Sequence, residues 1–76
     1  MALPVISGRK VVKILQRVGF SVVGQKGSHV RVKKASERIY IVVVPLHREV
    51  APGTLKSILR QAGLSREEFL SLIKSR

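Results

Sequence analysis

The fold of this chain is decided by Gln25-Lys26-Gly27-Ser28-His29-Val30-Arg31-Val32-Lys33-Lys34, a tight turn that leads into a basic strand. Gly27 supplies the positive φ that a turn of this kind needs. Side chains of a strand that begins at His29 alternate between two faces, so His29, Arg31 and Lys33 share one face and the valines take the other. The sequence therefore predicts a hairpin that presents one titratable imidazole in line with two cations.

Two further strands flank this segment. Residues 20–25 follow a period of two, and residues 39–44 form a β-branched run that Pro45 stops. Short turns join the three strands, which predicts an antiparallel meander. The third run is apolar on both faces, and this suits either a central strand or a strand whose outer face is covered by a partner.

Helices are predicted before and after the three strands. Ser7 can cap a first helix, whose apolar stripe ends before Gly19. Pro52 occupies an early position of a second helix, and Gly63 ends it. The stretch Ser65-Arg66-Glu67-Glu68 matches a capping box and predicts a short C-terminal helix.

One α+β domain over residues 1–76 accommodates these elements. We predict an αβββα sandwich in which a three-stranded antiparallel sheet carries the helices on one face, with a short extra C-terminal helix. The hydrophobic content of 45% fits a compact core of Val, Ile and Leu. The chain has no cysteine, so neither a disulfide framework nor a thiolate metal site is expected, and a cytoplasmic location is the default.

The charge of the chain points to a polyanionic partner. Fifteen Lys and Arg residues face four acidic residues, which gives a formal net charge of +11. Such a positive charge favours nucleic acid as the partner, because phosphates that the protein neutralises release their condensed counterions. An anionic membrane and an acidic protein are the competing partners. A membrane is the weaker candidate, since no apolar run approaches the roughly 20 residues that span a bilayer.

This sequence lacks the residues that most catalytic mechanisms require. His29 and His47 lie far apart and the four carboxylates are scattered, which matches no metal-ligand spacing, so we expect neither a metal nor a cofactor. The chain has no aspartate, which excludes a Ser-His-Asp triad. Lys26-Gly27-Ser28 precedes a strand instead of a helix, unlike a phosphate-binding loop.

Cleavage of RNA is the reaction that these residues do allow. RNA carries its own nucleophile, the 2′-hydroxyl, and needs no metal if a general base removes that proton. His29 suits this role because imidazole titrates near neutral pH. Charge on the phosphate oxygens could be stabilised by Lys26, Arg31 or Lys33. His47 could protonate the leaving 5′ oxygen if its loop folds back over the strand, although a structural role is the favoured interpretation for it.

Five motifs extend this picture. They are Ser7-Gly8-Arg9, Val18-Gly19-Phe20, Gln25-Lys26-Gly27-Ser28-His29, Val44-Pro45-Leu46-His47, and the helix-opening stretch that begins Pro52-Gly53-Thr54-Leu55. With these motifs the chain resembles the HicA-type toxins, which are mRNA interferases of the HicA–HicB toxin–antitoxin systems. The resemblance covers nearly the whole length of the chain.

The resemblance implies a fold similar to double-stranded-RNA-binding domains and ribosome-independent cleavage of mRNA. It also implies that His29 is the catalytic residue and that a HicB antitoxin neutralises the toxin. The turn that presents the catalytic histidine falls on Gly27 and Ser28. We expect RNA to bind to this turn and to the cations beside it, namely Lys26, Gly27, Ser28, Arg31 and Lys33.

Two functions are compatible with these residues. The first is a metal-independent endoribonuclease that halts translation by cutting mRNA. The second is a module that binds RNA through the same basic surface without cutting it, in which case His29 is an ordinary surface histidine. The histidine favours the enzyme, because a pure phosphate-binding face gains little from an imidazole. A DNA-binding regulator ranks last, since no helix-turn-helix pair is evident.

Overall fold

A computed structural model of the chain describes residues 3–74. Its elements are α1 (Gly8–Arg17), β1 (Ser21–Lys26), β2 (His29–Ala35), β3 (Ile39–Pro45), α2 (Pro52–Ala62) and α3 (Arg66–Lys74). This order confirms the predicted αβββα arrangement with an extra C-terminal helix. Within the described residues, no helix has both the length and the apolar character that crossing a membrane requires.

The three strands form one antiparallel sheet in the order β1-β2-β3. β2 therefore lies in the centre, and β3 is an edge strand. The interpretation of the apolar run of β3 as a central strand is wrong, because a meander with short turns places its last strand at an edge. The outer face of β3 is exposed because the helices pack on the opposite face of the sheet, which leaves the other interpretation, cover by a partner.

The helices cover one face of the sheet, and the core lies between the two layers. Four inward valines of β2 and β3 are buried, and these are Val30, Val32, Val42 and Val44. The apolar stripes of α1 and α2 pack against them, and Phe69 of α3 is fully buried in the same cluster. No polar or charged side chain is buried among residues 3–74. The cations of this part of the chain therefore all remain in contact with solvent.

The start of α1 is fixed against the loop between β3 and α2. The Ser7 hydroxyl accepts a hydrogen bond from the Lys10 backbone N–H (3.2 Å), which is the predicted N-cap. Gly8 donates its backbone N–H to the His47 carbonyl oxygen (2.9 Å). A Cβ at Gly8 would overlap the Pro45 carbonyl oxygen, so only glycine allows this close approach. The loop that carries His47 is thereby anchored to the helical layer.

A reciprocal capping box begins α3. The Ser65 hydroxyl accepts from the Glu68 N–H (3.0 Å), and Glu68 Oε1 accepts from the Ser65 N–H (2.7 Å). The backbone N–H of Ser65, and then its hydroxyl, hold the pKa of the Glu68 carboxyl below its usual value of 4.5. Because the folded-state pKa is lowered, this box stabilises the fold above about pH 4.5, and the stabilisation is lost as the pH falls below that value.

We expect Ser65→Ala to lower the free energy of unfolding by about 1 kcal/mol at neutral pH. Urea denaturation measures this difference, which should persist in acid because the Ser65 hydroxyl accepts from the backbone N–H of Glu68. The loss caused by Glu68→Gln should instead shrink in acid, as the Glu68 carboxyl of the wild-type protein becomes protonated. Ser71→Ala is the matched control, because Ser71 is exposed on the same helix and lies outside the cap. A loss for Glu68→Gln that stayed constant with pH would show that the Glu68 carboxylate does not contribute to the cap.

Candidate functional site

His29 is placed by the tight turn between β1 and β2. Lys26 pairs with His29 across the hairpin, so Gly27 and Ser28 alone form the turn. Gly27 has the predicted positive φ of 60°. Gln25 Nε2 donates a hydrogen bond to the Gly27 carbonyl oxygen (3.1 Å), which braces the turn. The imidazole of His29 therefore stands exposed at the start of the central strand.

A shallow groove lies beside His29 on the outer face of the sheet, the face away from the helices. It has a volume of about 570 Å³ and is lined by Gly24, Gln25, Lys26, His29, Arg31 and Val43. A bulge between Val22 and Gly24 shifts the register of β1, so that Gly24 lies opposite Arg31. Because glycine has no side chain, the space beside Arg31 stays open.

Three cations of the outer face are available to a ligand. Lys26 and Arg31 line the groove with His29, and Lys33 lies two residues beyond Arg31 on the same face of β2. None of the three forms an ion pair or a side-chain hydrogen bond with a residue that the structure describes. The groove thus unites three of the six predicted site residues, Lys26, His29 and Arg31. Gly27 and Ser28 form the adjacent turn, and Lys33 extends the positive charge along the strand.

No carboxylate lines the groove. Glu37 lies in the turn between β2 and β3, at the opposite end of that hairpin from the His29–Pro45 pair. The Ser36 hydroxyl donates a hydrogen bond to Glu37 Oε1 (2.8 Å) and lowers the pKa of this carboxyl, so its negative charge stays at the far end. Among residues 3–74, no three His, Cys, Asp or Glu side chains are grouped closely enough to hold a metal ion.

The structure brings His47 next to His29. Their ring centroids are 6.4 Å apart, and the ring planes are inclined by 74°. The Leu46 N–H donates to the Ser28 carbonyl oxygen (2.6 Å), which ties the loop to the turn. Both imidazoles are exposed, and neither makes a hydrogen bond or an ion pair with a described residue. The structural role favoured for His47 therefore belongs to its backbone carbonyl, which accepts from Gly8, and its ring is left free.

An apolar strip runs beside the cations on the outer face. It consists of Ile39, Ile41 and Val43 on β3, whose side chains are 60%, 52% and 44% exposed. Ile41 lies opposite Lys33 in the register of the sheet, and Val43 lies opposite Arg31. The outer face thus carries a row of positive charges on β2 and, beside it, a row of aliphatic side chains on β3.

The residues of this site fall within a region of family similarity. A family model for the HicA toxin of bacterial toxin–antitoxin systems matches residues 8–64, about three quarters of the chain. The chain belongs to the HicA toxin family. The region that matches the HicA model contains the whole sheet, the His47 loop and α2, whereas α3 lies outside it. Among curated proteins, none matches the chain significantly.

Membership in the HicA family confirms the resemblance drawn from the motifs and gives the chain a biological setting. The chain is the toxin of a toxin–antitoxin system, and an antitoxin is therefore implied as its partner.

Sequence reasoning missed two parts of the site of this HicA toxin. Gly24 opens the groove, and a glycine inside a strand is a known signal for a bulge, so its role could have been found. Val43 lines the groove only because of the register between β2 and β3. No local pattern indicates that register, since it depends on both ends of the hairpin.

Proposed function

We propose that this HicA toxin is a metal-independent, ribosome-independent endoribonuclease that cuts mRNA in the cytoplasm, with His29 as the general base. The observation that best supports the proposal is the exposed imidazole of His29, free of hydrogen bonds to described residues, in one groove with Lys26 and Arg31. A base and fixed cations side by side are what cleavage of a phosphodiester by its own 2′-hydroxyl requires.

The reaction proceeds by attack of the 2′ oxygen on the adjacent phosphorus. His29 takes the hydroxyl proton, and negative charge accumulates on the non-bridging phosphate oxygens. Lys26 and Arg31 line the same groove and stabilise this charge more strongly than that of the starting phosphate. The bond to the 5′ oxygen then breaks, leaving a 2′,3′-cyclic phosphate and a 5′ oxygen that takes up a proton to become a free 5′-hydroxyl.

Single-stranded RNA is the substrate that suits this site. Attack requires the 2′ oxygen, the phosphorus and the departing 5′ oxygen to align, and stacked A-form duplex resists that geometry. An unpaired strand can adopt it and can also place its bases away from the groove. The shallow groove of about 570 Å³ is open along the outer face and leaves room for a flexible strand.

The second candidate function is RNA binding without cleavage. Lys33 favours binding without cleavage, because this cation lies outside the groove and continues the row of positive charges along β2. Purified toxin and its His29→Ala variant, incubated with mRNA, separate the two candidates. Both functions predict that the wild-type toxin and the His29→Ala variant bind RNA. Only the ribonuclease function predicts that the wild-type toxin cuts RNA and that the variant does not.

RNA binding by this toxin should weaken steeply as salt increases. Each single-strand phosphate contact contributes roughly 0.7 to the slope of log affinity against log salt concentration. Lys33→Ala should therefore flatten the slope by about 0.7, and Arg31→Ala should do the same. Filter binding or fluorescence anisotropy over a salt series measures the slope.

Lys56→Ala is the matched control for this experiment. Lys56 is an exposed cation on α2, in the helical layer, so its removal lowers the net charge equally without touching the outer face. The salt slope measured for Lys56→Ala should stay close to that of the wild-type toxin. Equal slopes for Lys33→Ala and Lys56→Ala would mean that RNA does not contact the cations of β2.

We also propose that a HicB-like antitoxin covers the outer face of the sheet. The apolar strip gives RNA little to bind, but it suits the aliphatic side chains of a protein, and the neighbouring cations suit acidic ones. Cover of this face would also close the groove that contains His29. An acidic protein encoded beside the toxin gene is the expected partner.

Complex formation should protect the amides of residues 27–31 from hydrogen exchange. Ile41→Ala should weaken the complex, because it removes an exposed apolar contact, while RNA cleavage by the free toxin persists. Val5→Ala is the control, since Val5 is 62% exposed and precedes α1, outside the sheet. Protection restricted to α3 would mean that the antitoxin inhibits by another route.

A further inference from the structure

We propose that His47 is the general acid of the same cleavage reaction, so that His29 and His47 act as a pair on one phosphate. The inference rests on the proposed ribonuclease function and adds the group that this function lacks. Departure of the 5′ oxygen as an alkoxide is unfavourable, and a positioned acid accelerates such a step by roughly 10²- to 10⁴-fold. His29 already serves as the base, so a second group must supply this proton.

The spacing of the two rings fits a phosphate between them. Two hydrogen bonds of about 2.8 Å that converge on one phosphate need ring centres roughly 6–8 Å apart. The observed separation of the His29 and His47 centroids is 6.4 Å. The inclination of 74° shows that the rings do not stack on each other. Both remain free to bind a ligand, because neither imidazole forms a hydrogen bond or an ion pair with a described residue.

Backbone contacts hold both imidazoles in one unit. The turn at Gly27 and Ser28 presents His29, and the Ser28 carbonyl oxygen accepts the Leu46 N–H (2.6 Å). On the other side of the loop, the His47 carbonyl oxygen accepts the Gly8 N–H (2.9 Å). The loop is thus bonded to the hairpin and to α1 at successive residues. Such preorganisation is what a pair of proton-transfer groups needs.

The pair stands at one end of the groove. His29 lines the groove and His47 does not, so His29 is the point where the groove and the pair meet. A strand that lies in the groove places its 2′-hydroxyl near His29 and the departing nucleotide beside His47. The cations Lys26 and Arg31 then hold the part of the RNA that keeps the new cyclic phosphate.

The proton transfers balance with these two residues alone. The 2′-hydroxyl proton moves to neutral His29 as the bond between the 2′ oxygen and phosphorus forms. The bond between phosphorus and the 5′ oxygen breaks, and protonated His47 gives its proton to that oxygen. The products are a 2′,3′-cyclic phosphate and a 5′-hydroxyl, and proton exchange with water restores both imidazoles.

Replacing the bridging 5′ oxygen by sulfur at one cleavage site separates the two roles, because a thiolate leaves without protonation. We expect His47→Gln to cut ordinary RNA about 10²- to 10⁴-fold more slowly than the wild-type toxin, and to cut the sulfur-containing RNA within about tenfold of the wild-type rate. His29→Ala should be slow on both substrates. Gln keeps the backbone carbonyl that bonds Gly8, so the fold should persist, and circular dichroism checks this.

Arg48→Gln is the matched control, because it changes the exposed neighbour of His47 in the same loop and should leave both rates unchanged. Wild-type rates for His47→Gln on ordinary RNA would overturn the inference and leave the ribonuclease function intact. An equal loss on both substrates would also overturn it, as would rescue of His29→Ala by sulfur, which would reverse the roles. No cleavage by the wild-type toxin would refute the ribonuclease function itself.

Discussion

RNA cleavage by His29→Ala should fall by about 10²- to 10⁴-fold or to an undetectable level, because the variant lacks the proposed base that takes the 2′-hydroxyl proton. The fold should persist, since the His29 ring is exposed and makes no hydrogen bond to a described residue. Most of the RNA affinity should also persist, because Lys26 and Arg31 remain. Timed cleavage of an mRNA measures the first effect, and growth of cells that express the variant measures its consequence.

His29→Lys is the variant that distinguishes catalysis from binding. It adds a permanent cation to the groove, so it should bind RNA at least as tightly as the wild-type toxin and still fail to cut it. Full cleavage by His29→Ala would refute the assignment of the base. Unfolding of that variant, seen by circular dichroism, would instead assign the residue a structural role.

A single 2′-deoxy nucleotide at a cleavage site should stop cutting at that site and leave the other sites unaffected. The reason is chemical, because the proposed nucleophile is the 2′-hydroxyl of the substrate itself. The expected loss is complete within detection, since removing the nucleophile cannot be offset by the protein. A defined oligonucleotide with two cleavage sites, one of them modified, provides its own control and is read by gel electrophoresis.

Addition of EDTA should leave the cleavage rate unchanged, because His29 and His47 carry both proton transfers of the proposed reaction and the cations of the groove stabilise its charge. The product termini give an independent check, and a 2′,3′-cyclic phosphate or 3′-phosphate with a 5′-hydroxyl is expected. Cleavage of the 2′-deoxy substrate that EDTA abolishes would indicate a metal-activated water. His29 would then not be the base that activates the nucleophile.

Local chemical signals were sufficient to predict the elements of this toxin. Gly27 marks a two-residue turn because of its positive φ, and Gly63 ends α2 with a φ of 71°. Ser65 forms the predicted capping box with Glu68. Alternation along β2 correctly placed His29 and the cations on the outer face, because a strand permits no other pattern once its start is fixed.

Features that depend on contacts between distant segments were not predictable in the same way. The edge position of β3 follows from the strand order, whereas its sequence resembles that of a buried strand. The approach of His47 to His29 depends on a loop whose path is set by Gly8 and Leu46. Neither the length nor the composition of this loop indicates where its imidazole lies.

The unpaired edge of β3 has a consequence for the behaviour of the free toxin at high concentration. Residues 39–44 form a β-rich run without charge or proline on that edge, a pattern typical of segments that assemble into fibrils. Arg38 and Pro45 border the run and act as gatekeepers. Between molecules, the net charge of +11 supplies the main repulsion, which salt screens and a polyanion neutralises. Colloidal stability of the toxin is therefore tied to the same charge that would attract an RNA substrate, and antitoxin cover of this sheet would protect the toxin as well as inhibit it.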